Sequence, residues 1–383
     1  MEDLPVDDLV IQSHNGPYPV RFGQAFEGLE SGLSDREHLI IDARVAELYS
    51  QALTPALSGH SVLRIEATEA NKSLERFPAY VSHLIERGIR RDHRLIAVGG
   101  GILQDITAFI AAILFRGVSW RFYPTTLLAQ ADSCIGSKSS INVGPFKNQL
   151  GTFTPPNDVV ISTDVLDTLD ERDIRSGIGE MIKVHIISGW EDTRAIAADY
   201  PRIAHDKQVM AHYIRRSLEI KKIKIEADEF DRRERLVMNY GHSLGHAIES
   251  ATDYAVPHGI AVTIGMDMAN YLSWRFGLID HELYDTLHSL LATNFVGFEQ
   301  TQIPDDRFFA ALAKDKKNVG SHVSLILMRS PGQMVRASYA VDERFRAVCL
   351  EYLGVFAHAP VPPWAGRCGV PPPALAGKEP RGL

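Results

Sequence analysis

An α/β N-terminal domain followed by a mainly α-helical C-terminal domain is the fold class this 383-residue chain predicts. Three observations carry that expectation. Apolar strand-like runs alternate with helical stretches over residues 1–172, as in a parallel sheet. One of those runs, Leu95-Ile-Ala-Val98, leads straight into Gly99-Gly-Gly101 and an apolar helix. After residue 172, helical apolar periodicity takes over and few strand candidates remain. The organisation read from this is a first domain over 1–172, a second over 173–356, and a Pro-rich tail over 357–383.

In chain order, Leu9-Val-Ile-Gln is a short apolar strand, and His38-Leu-Ile-Ile-Asp42 a buried strand ending in an acid. Ala43–Leu57 reads as one helix, Ser61–Glu66 as a strand, Ser73–Arg87 as a helix and Arg94–Gly99 as a strand. The glycine turn and the helix Ile106–Leu114 follow. Trp120–Leu128 and Asp132–Asn148, rich in Gly, Ser, Thr, Asn and Lys, read as loops that hold polar ligands or as solvated connections. In the second domain the helices expected are Asp173–Ser188, Gln208–Ile225, Ser243–Thr252, Ile260–Phe276 and Asp280–Thr293, with a short strand at His322–Leu327. The cleft between the two domains is the expected active site. In the tail, seven of the 20 prolines fall within 27 residues, which excludes helix and predicts disorder.

Hydrophobic residues at 45% and charged residues at 23% describe an ordinary soluble globular chain. The start, Met1-Glu-Asp-Leu-Pro-Val-Asp-Asp, lacks the basic and apolar regions of a signal peptide, and no apolar run reaches the ~18 residues of a membrane span. Three scattered cysteines exclude a disulfide framework and a thiolate zinc site. A cytoplasmic protein is expected. The net charge of -8 argues against nucleic acid, which needs a basic face, but allows a small anionic substrate held by a local cluster of cations.

Strand, glycine turn and helix bring backbone N–H groups and a helix N-terminus up to a phosphate. Three adjacent glycines remove every Cβ from that turn. The spacing is not G-x-G-x-x-G, so a tight turn without a ligand stays open beside a dinucleotide site. In Asn239-Tyr-Gly-His-Ser-Leu-Gly-His, His242 and His246 stand four apart on one helix face, with His258 beyond a turn. A carboxylate joining these imidazoles would make a divalent-metal site, though an i,i+4 histidine pair serves structure as readily. Gly177-Ile-Gly-Glu180-Met-Ile-Lys183 supplies a carboxylate, or else an ordinary i,i+3 ion pair. The charge run Asp228–Arg235 reads as a solvated face, although Arg235, four before Asn239, would share its face if helical.

Taken together, the chain resembles the 3-dehydroquinate synthase family of sugar phosphate cyclases. The resemblance rests on Glu69-Ala-Asn-Lys72-Ser, Gly99-Gly-Gly-Ile-Leu-Gln-Asp105, Arg116-Gly, Pro124-Thr-Thr-Leu-Leu, Asp132-Ser, Lys138, Lys147-Asn148, Gly179-Glu180-Met-Ile-Lys183, Asn239–Glu249, His258-Gly and Asp315-Lys-Lys, in order over residues 65–330. It implies a Rossmann-like N-terminal domain that binds NAD and a helical metal- and substrate-binding domain. Asp42, Glu69 and Lys72 would lie around the adenosine half. Gly100, Gly101 and Asp105 would hold the pyrophosphate and ribose. Thr125, Thr126 and Asp132 would lie nearer the nicotinamide, and Lys138 and Lys147 would also contact the cofactor. Glu180, His242 and His258 would hold zinc, cobalt or a similar divalent ion. Lys138, Asn148, Lys183, Lys221, Arg235, Asn239, His246 and Lys316 would surround the substrate. Arg116 would reach its phosphate, from its own chain or from a neighbouring subunit of a homodimer.

The reaction implied turns 3-deoxy-D-arabino-heptulosonate 7-phosphate into 3-dehydroquinate and phosphate, by transient oxidation, elimination, reduction and aldol closure. The alternatives are a cyclase of secondary metabolism (valiolone-, deoxyinosose- or aminodehydroquinate-type) and a metal-dependent polyol dehydrogenase. Three positions depart from the family pattern: Gln104 and Ser137 stand where glycine is usual, and Ile260 where glutamate is usual.

Overall fold

The computed structural model describes residues 8–144, 146–314 and 322–356. The Pro-rich segment 357–383 and the site candidate Lys316 lie outside them. The chain forms two compact units, Met1–Ile174 with Ile214–Arg235, and Arg175–Tyr213 with Leu236–Leu383.

The first unit contains β1 (Leu9–Ile11), β2 (Tyr18–Phe22), β3 (Glu37–Asp42), α1 (Ala43–Leu48), α2 (Thr54–Leu57), β4 (Val62–Ile65), α3 (Phe77–Glu86) and β5 (Arg94–Gly99). It continues with α4 (Gly101–Ile113), β6 (Ser119–Pro124), β7 (Lys138–Val143), β8 (Phe146–Phe153) and β9 (Asp158–Ile161). Seven strands make one sheet in the order β1-β2-β9-β6-β5-β3-β4. β1 pairs antiparallel with β2, and every other pair is parallel. In β3, Leu39, Ile40 and Ile41 are fully buried, as are Leu95–Val98 in β5. Such unbroken apolar runs suit parallel strands covered on both faces.

The adjacent strands β3, β5 and β6 end at Asp42, Gly99 and Pro124. Their carboxyl ends therefore deliver Asp42, the glycine turn and Thr125-Thr126 to one edge of the sheet. Ligands of open parallel sheets bind at that edge.

Three expectations change here. The single helix over Ala43–Leu57 is two short ones, because Pro55 has no N–H to donate to an earlier turn and starts a helix instead. The stretch read as a loop from Trp120 contains the central strand β6, in which Trp120, Phe122 and Tyr123 are buried. Lys138–Val143 and Phe146–Phe153 pair antiparallel, β7 against β8.

α5 (Glu171–Ser188) leads into the second unit, which holds α6 (Trp190–Ile203) and the start of α7 (Lys207–Ala227). It continues with α8 (His242–Ala251), α9 (His258–Arg275), α10 (His281–Phe295), α11 (Asp305–Ala313), the hairpin β10 (His322–Ser330) and β11 (Gln333–Ala340), and α12 (Glu343–Phe356). α9 is its central element: every residue from Gly259 to Ser273 is buried. A helix buried on all sides has no polar stripe. No helix among the described residues is long and apolar enough to cross a membrane.

Candidate active site

In the second unit, α5 and α9 approach at a pair of glycines. A Cβ on Gly179 would lie 2.3 Å from the Gly259 carbonyl oxygen, and one on Gly259 would lie 1.8 Å from the carbonyl oxygen of Ser176. α8 meets α9 in the same way: a Cβ on Gly245 would come within 3.0 Å of the Val262 backbone. Residues next to these contacts, Glu180 and His258, are thereby brought face to face. The glycines of Gly177-Ile-Gly-Glu180, Gly-His-Ser-Leu-Gly-His and His258-Gly are close-approach positions.

Glu180 Oε1 lies 3.5 Å from His242 Nε2 and 3.4 Å from His258 Nε2. Its other oxygen accepts from the Lys183 ammonium one turn along α5. Both side chains are almost fully buried, at 1% and 2% exposure. Burial alone would raise the Glu180 carboxyl, but Lys183, His242 and His258 outweigh it and hold the group well below the usual carboxylate range. His242 is pushed well down by burial and by Lys183. His258, although buried, is raised to about 10 by Glu249 and Glu180. The third ring, His246, has its centroid 5.4 Å from His242 and 5.6 Å from His258.

These residues fit a divalent cation. Glu180 Oε1 is buried, and two imidazole Nε2 atoms face it at 3.5 and 3.4 Å, longer than a well-formed hydrogen bond. The Nδ1 atoms of both rings face acceptors, the Tyr240 carbonyl at 3.2 Å and Glu249 Oε2 at 3.2 Å. Once His258 gives up its extra proton, as a metal ligand must, each Nε2 lone pair is left toward Glu180. Ligand atoms of His242, His246 and His258 also lie within 4.8 Å of one another, so His246 is near enough to compete for an ion. The buried Glu180 oxygen between two imidazoles is the reason to prefer a Glu-His-His set: carboxylate and imidazole are both zinc donors, and a cation there would take the place of the proton that His258 otherwise carries.

In the first unit, Gly100 caps α4, and Thr125 N–H donates to the Gly99 carbonyl at 3.0 Å. A Cβ on Gly100 would stand 2.9 Å from Thr126 Cγ2, so the glycine lets the two turns touch. Asp42 caps α1 by accepting from Arg44 N–H at 2.9 Å, and burial raises its carboxyl. Asp105 accepts from Lys72 Nζ at 3.1 Å, from Ser140 N–H at 3.0 Å and from Ser140 Oγ at 3.2 Å. Burial raises the Asp105 carboxyl against the pull of Lys72. Lys72 also donates to Asn148 Oδ1 at 3.0 Å, and Glu69 sits 3.8 Å from Lys72 and 3.7 Å from Lys147.

Lys221, on α7, reaches the Asp132 carbonyl at 2.5 Å and its carboxylate at 2.9 Å. Lys138 holds Asp231 at 2.5 Å. The first unit thus joins Glu69, Lys72, Asp105, Lys147 and Asn148 in one cluster, and pairs Asp132 with Lys221.

The run Asp228–Arg235 is exposed at Phe230, Arg232, Arg233 and Glu234, and it is also an ordered loop. Asp228 accepts the N–H groups of Arg232, Arg233 and Arg235, folding the segment into a capped loop. Arg235 is 8% exposed and donates to the Glu229 carbonyl at 2.7 Å. In the second unit, Asn239 ends a 3-10 turn over Glu234–Asn239, and its Nδ2 donates to the Leu236 carbonyl at 3.1 Å. Arg116 is exposed, between Phe115 and Gly117, and all three have positive φ.

Of the departures, Gln104 exchanges hydrogen bonds with Ser133, Nε2 to the carbonyl at 2.5 Å and Oε1 from Oγ at 2.6 Å. Ser137 and Ile260 are buried. The reading from sequence missed Glu249, which holds His258, and Asp231, which holds Lys138. Glu249 lies seven residues after His242, on the same helical face, and that spacing was the available signal.

Residues 62–176 match the family model described as 3-dehydroquinate synthase N-terminal, and residues 177–318 match 3-dehydroquinate synthase C-terminal. The 3-dehydroquinate synthase of Dictyoglomus thermophilum is 33% identical over 338 residues, spanning 86% of this chain and 94% of the relative. Among solved structures, 2-deoxy-scyllo-inosose synthase, crystallised with carbaglucose-6-phosphate, NAD+ and Co2+, shares the fold with a TM-score of 0.79 at 21% identity, covering 92% of this chain and 100% of that one. The 2-epi-5-epi-valiolone synthase of Streptomyces hygroscopicus, with NAD+ and Zn2+, gives a TM-score of 0.75 at 25% identity, covering 89% and 97%. Motif, fold and matched length agree: the chain belongs to the 3-dehydroquinate synthase family.

Proposed function

We propose that the chain is a 3-dehydroquinate synthase, a cytoplasmic lyase of aromatic amino acid biosynthesis. It converts 3-deoxy-D-arabino-heptulosonate 7-phosphate into 3-dehydroquinate and phosphate, with NAD and zinc or cobalt as cofactors. The observation that carries the metal-dependent part is the buried Glu180 Oε1 facing two imidazole Nε2 atoms. Family membership carries the rest. When bound, NAD supplies a reversible hydride acceptor and the cation a Lewis acid for the substrate oxygen.

The chain's own residues bind and orient. Glu180, His242 and His258 hold the cation. Asp42, Glu69, Lys72, Asp105 and the Gly100-Gly101 turn hold the dinucleotide, with Thr125, Thr126, Asp132, Lys138 and Lys147 at its other end. Lys138, Asn148, Lys183, Lys221, Arg235 and Asn239 meet the substrate, whose carboxylate and phosphate call for cations and for a planar guanidinium able to pair in two bonds. Burial of Lys183 and Arg235 supports this, because attraction to an anion grows as water is excluded. His246 moves protons or holds the phosphate, as an imidazole near neutral pH can. Arg116 and Lys316 complete the anion site, Arg116 serving the partner subunit of a homodimer.

A second reading is a cyclase acting on a different phosphorylated ketose. Its support is Ile260, an apolar residue directly after His258-Gly259 where the family usually has glutamate. The test is incubation with the heptulosonate phosphate, NAD and zinc, following phosphate and absorbance of the nicotinamide. Phosphate released without net NADH is the expected result. Turnover of sedoheptulose 7-phosphate in place of the heptulosonate would select the second reading. Stoichiometric NADH would identify a dehydrogenase and overturn both.

A further inference from the structure

We propose that Glu249 is the positioning residue of the metal centre, fixing the ring plane and tautomer of His258 so that its Nε2 faces the cation. The proposal rests on the metal-binding role given above to Glu180, His242 and His258.

Its basis is the pairing at the far nitrogen. Glu249 Oε2 lies 3.2 Å from His258 Nδ1, and the Glu249 side chain is only 13% exposed. A neutral imidazole carries one N–H, and a carboxylate at Nδ1 keeps that hydrogen there. When a cation displaces the second proton of the ring, the lone pair is on Nε2, 3.4 Å from Glu180 Oε1. Such an outer carboxylate also raises the basicity of the ligating nitrogen. His242 has a weaker version of the same arrangement, with the neutral Tyr240 carbonyl at its Nδ1. The two histidines are therefore oriented by unlike acceptors, and the charged one serves the ring at the first residue of α9.

The backbone between them is built to make the meeting possible. Glu249 is in the last turns of α8, and His258 opens α9. Asp253 and Tyr254, both non-glycine residues with positive φ (50° and 62°), reverse the chain. The Tyr254 N–H returns to the Glu249 carbonyl at 2.8 Å. Arg307 on α11 clamps this turn, donating to both Asp253 carboxylate oxygens and, at 3.2 Å, to the Ser250 carbonyl. Two residues in a sparsely populated backbone region persist only where surroundings over-determine them. The held turn is what lets a helix-borne carboxylate reach a histidine nine residues later. Ile260, buried and apolar, supplies no acceptor two residues after His258.

The experiment is zinc titration of the full chain against a chromophoric chelator, with Glu249→Ala, Glu249→Gln and Glu180→Ala beside the parent. Glu249→Ala should weaken zinc by about 10- to 100-fold. Glu249→Gln, of the same shape, should weaken it less and shift the d–d bands of the cobalt-loaded protein. Melting of the metal-free variants separates affinity from folding. If Glu249→Ala does not fold, the isosteric Gln variant decides. Parent-like zinc affinity and cobalt spectrum in Glu249→Gln, together with parent-like affinity in any folded Glu249→Ala, would overturn the proposal. Full zinc binding by Glu180→Ala would instead overturn the ligand assignment on which it rests.

Discussion

A methyl group on Gly179 should loosen the metal centre without touching any ligand. In Gly179→Ala the new Cβ would meet the Gly259 carbonyl oxygen at 2.3 Å, Thr263 Oγ1 at 2.5 Å and the Gly259 carbonyl carbon at 2.9 Å. Ordinary contact begins at 3.4 Å, so α5 and α9 must part by about 1 Å at this point. The obstacle is backbone on a fully buried helix, which cannot rotate away as a flexible side chain would. Overpacking of this kind costs about 1–3 kcal/mol. At about 2–4 °C per kcal/mol for a unit of this size, the metal-free protein should melt roughly 2–12 °C lower. Because Glu180 follows directly, the same parting draws its carboxylate away from His258, and metal geometry tolerates only about 0.2 Å. Zinc affinity should fall by about tenfold or more.

Gly354 in α12 is the control. A Cβ there meets nothing within 4 Å, so Ala should be neutral or stabilise by up to ~1 kcal/mol. The assays are thermal melting without metal and zinc competition. Parent-like melting and zinc affinity in Gly179→Ala would refute the claim that glycine contacts set the convergence of the ligands.

Two further outcomes follow from the first unit. Asp105→Ala removes the carboxylate beside Lys72, which is 7% exposed, and should cost about 3 kcal/mol in urea unfolding and weaken NAD; unchanged stability and NAD affinity would count against the cluster. His38, fully buried between Ser61 Oγ at 2.7 Å and His93 Nδ1 at 3.0 Å, is lowered from 6.5 to about 4 by burial and by His60, His93 and His83. The unfolded chain therefore binds the extra proton first. Its contribution is complete above pH 6.5 and is lost as pH falls toward 4, about 2 kcal/mol between pH 7.5 and 5. His38→Asn should flatten the stability profile in that window, and an unchanged slope would show that His38 is not the group responsible.

Much of the fold was legible because the signals were local. The apolar runs of β3 and β5, the turn Gly99-Gly-Gly101 and the periodic helices α5, α7, α8, α9 and α10 announce themselves within a few residues. β6 did not: Trp120-Arg-Phe-Tyr has no clean alternation, and its polar continuation into Thr125-Thr126 resembles a loop. Its strand character comes from neighbours on both sides, β5 and β9, far away in sequence. The charge run Asp228–Arg235 was legible only in part: Arg232, Arg233 and Glu234 are exposed, but the loop cap made by Asp228 and the burial of Arg235 depend on how the segment folds. At the metal centre, spacing alone paired His242 with His246. It offered Glu180, 62 residues before His242, as a carboxylate that could join them, but left an ordinary Glu180–Lys183 pair open, because the contact depends on helices packing through glycine. The family resemblance favoured the metal role, and the structure supplied the geometry. Glu249 escaped both readings: its seven-residue spacing from His242 places it on the same helical face, but does not say which group it meets.

In the proposed division of labour, His242 and His258 hold the cation and His246 faces the substrate. A zinc-loaded crystal with an anomalous difference map at the zinc edge tests it directly. The account predicts the ion at roughly 2.0–2.2 Å from Glu180 Oε1, His242 Nε2 and His258 Nε2, with His246 beyond bonding distance and open to substrate. An ion bonded to His246, with Glu180 left on Lys183 alone, would contradict it.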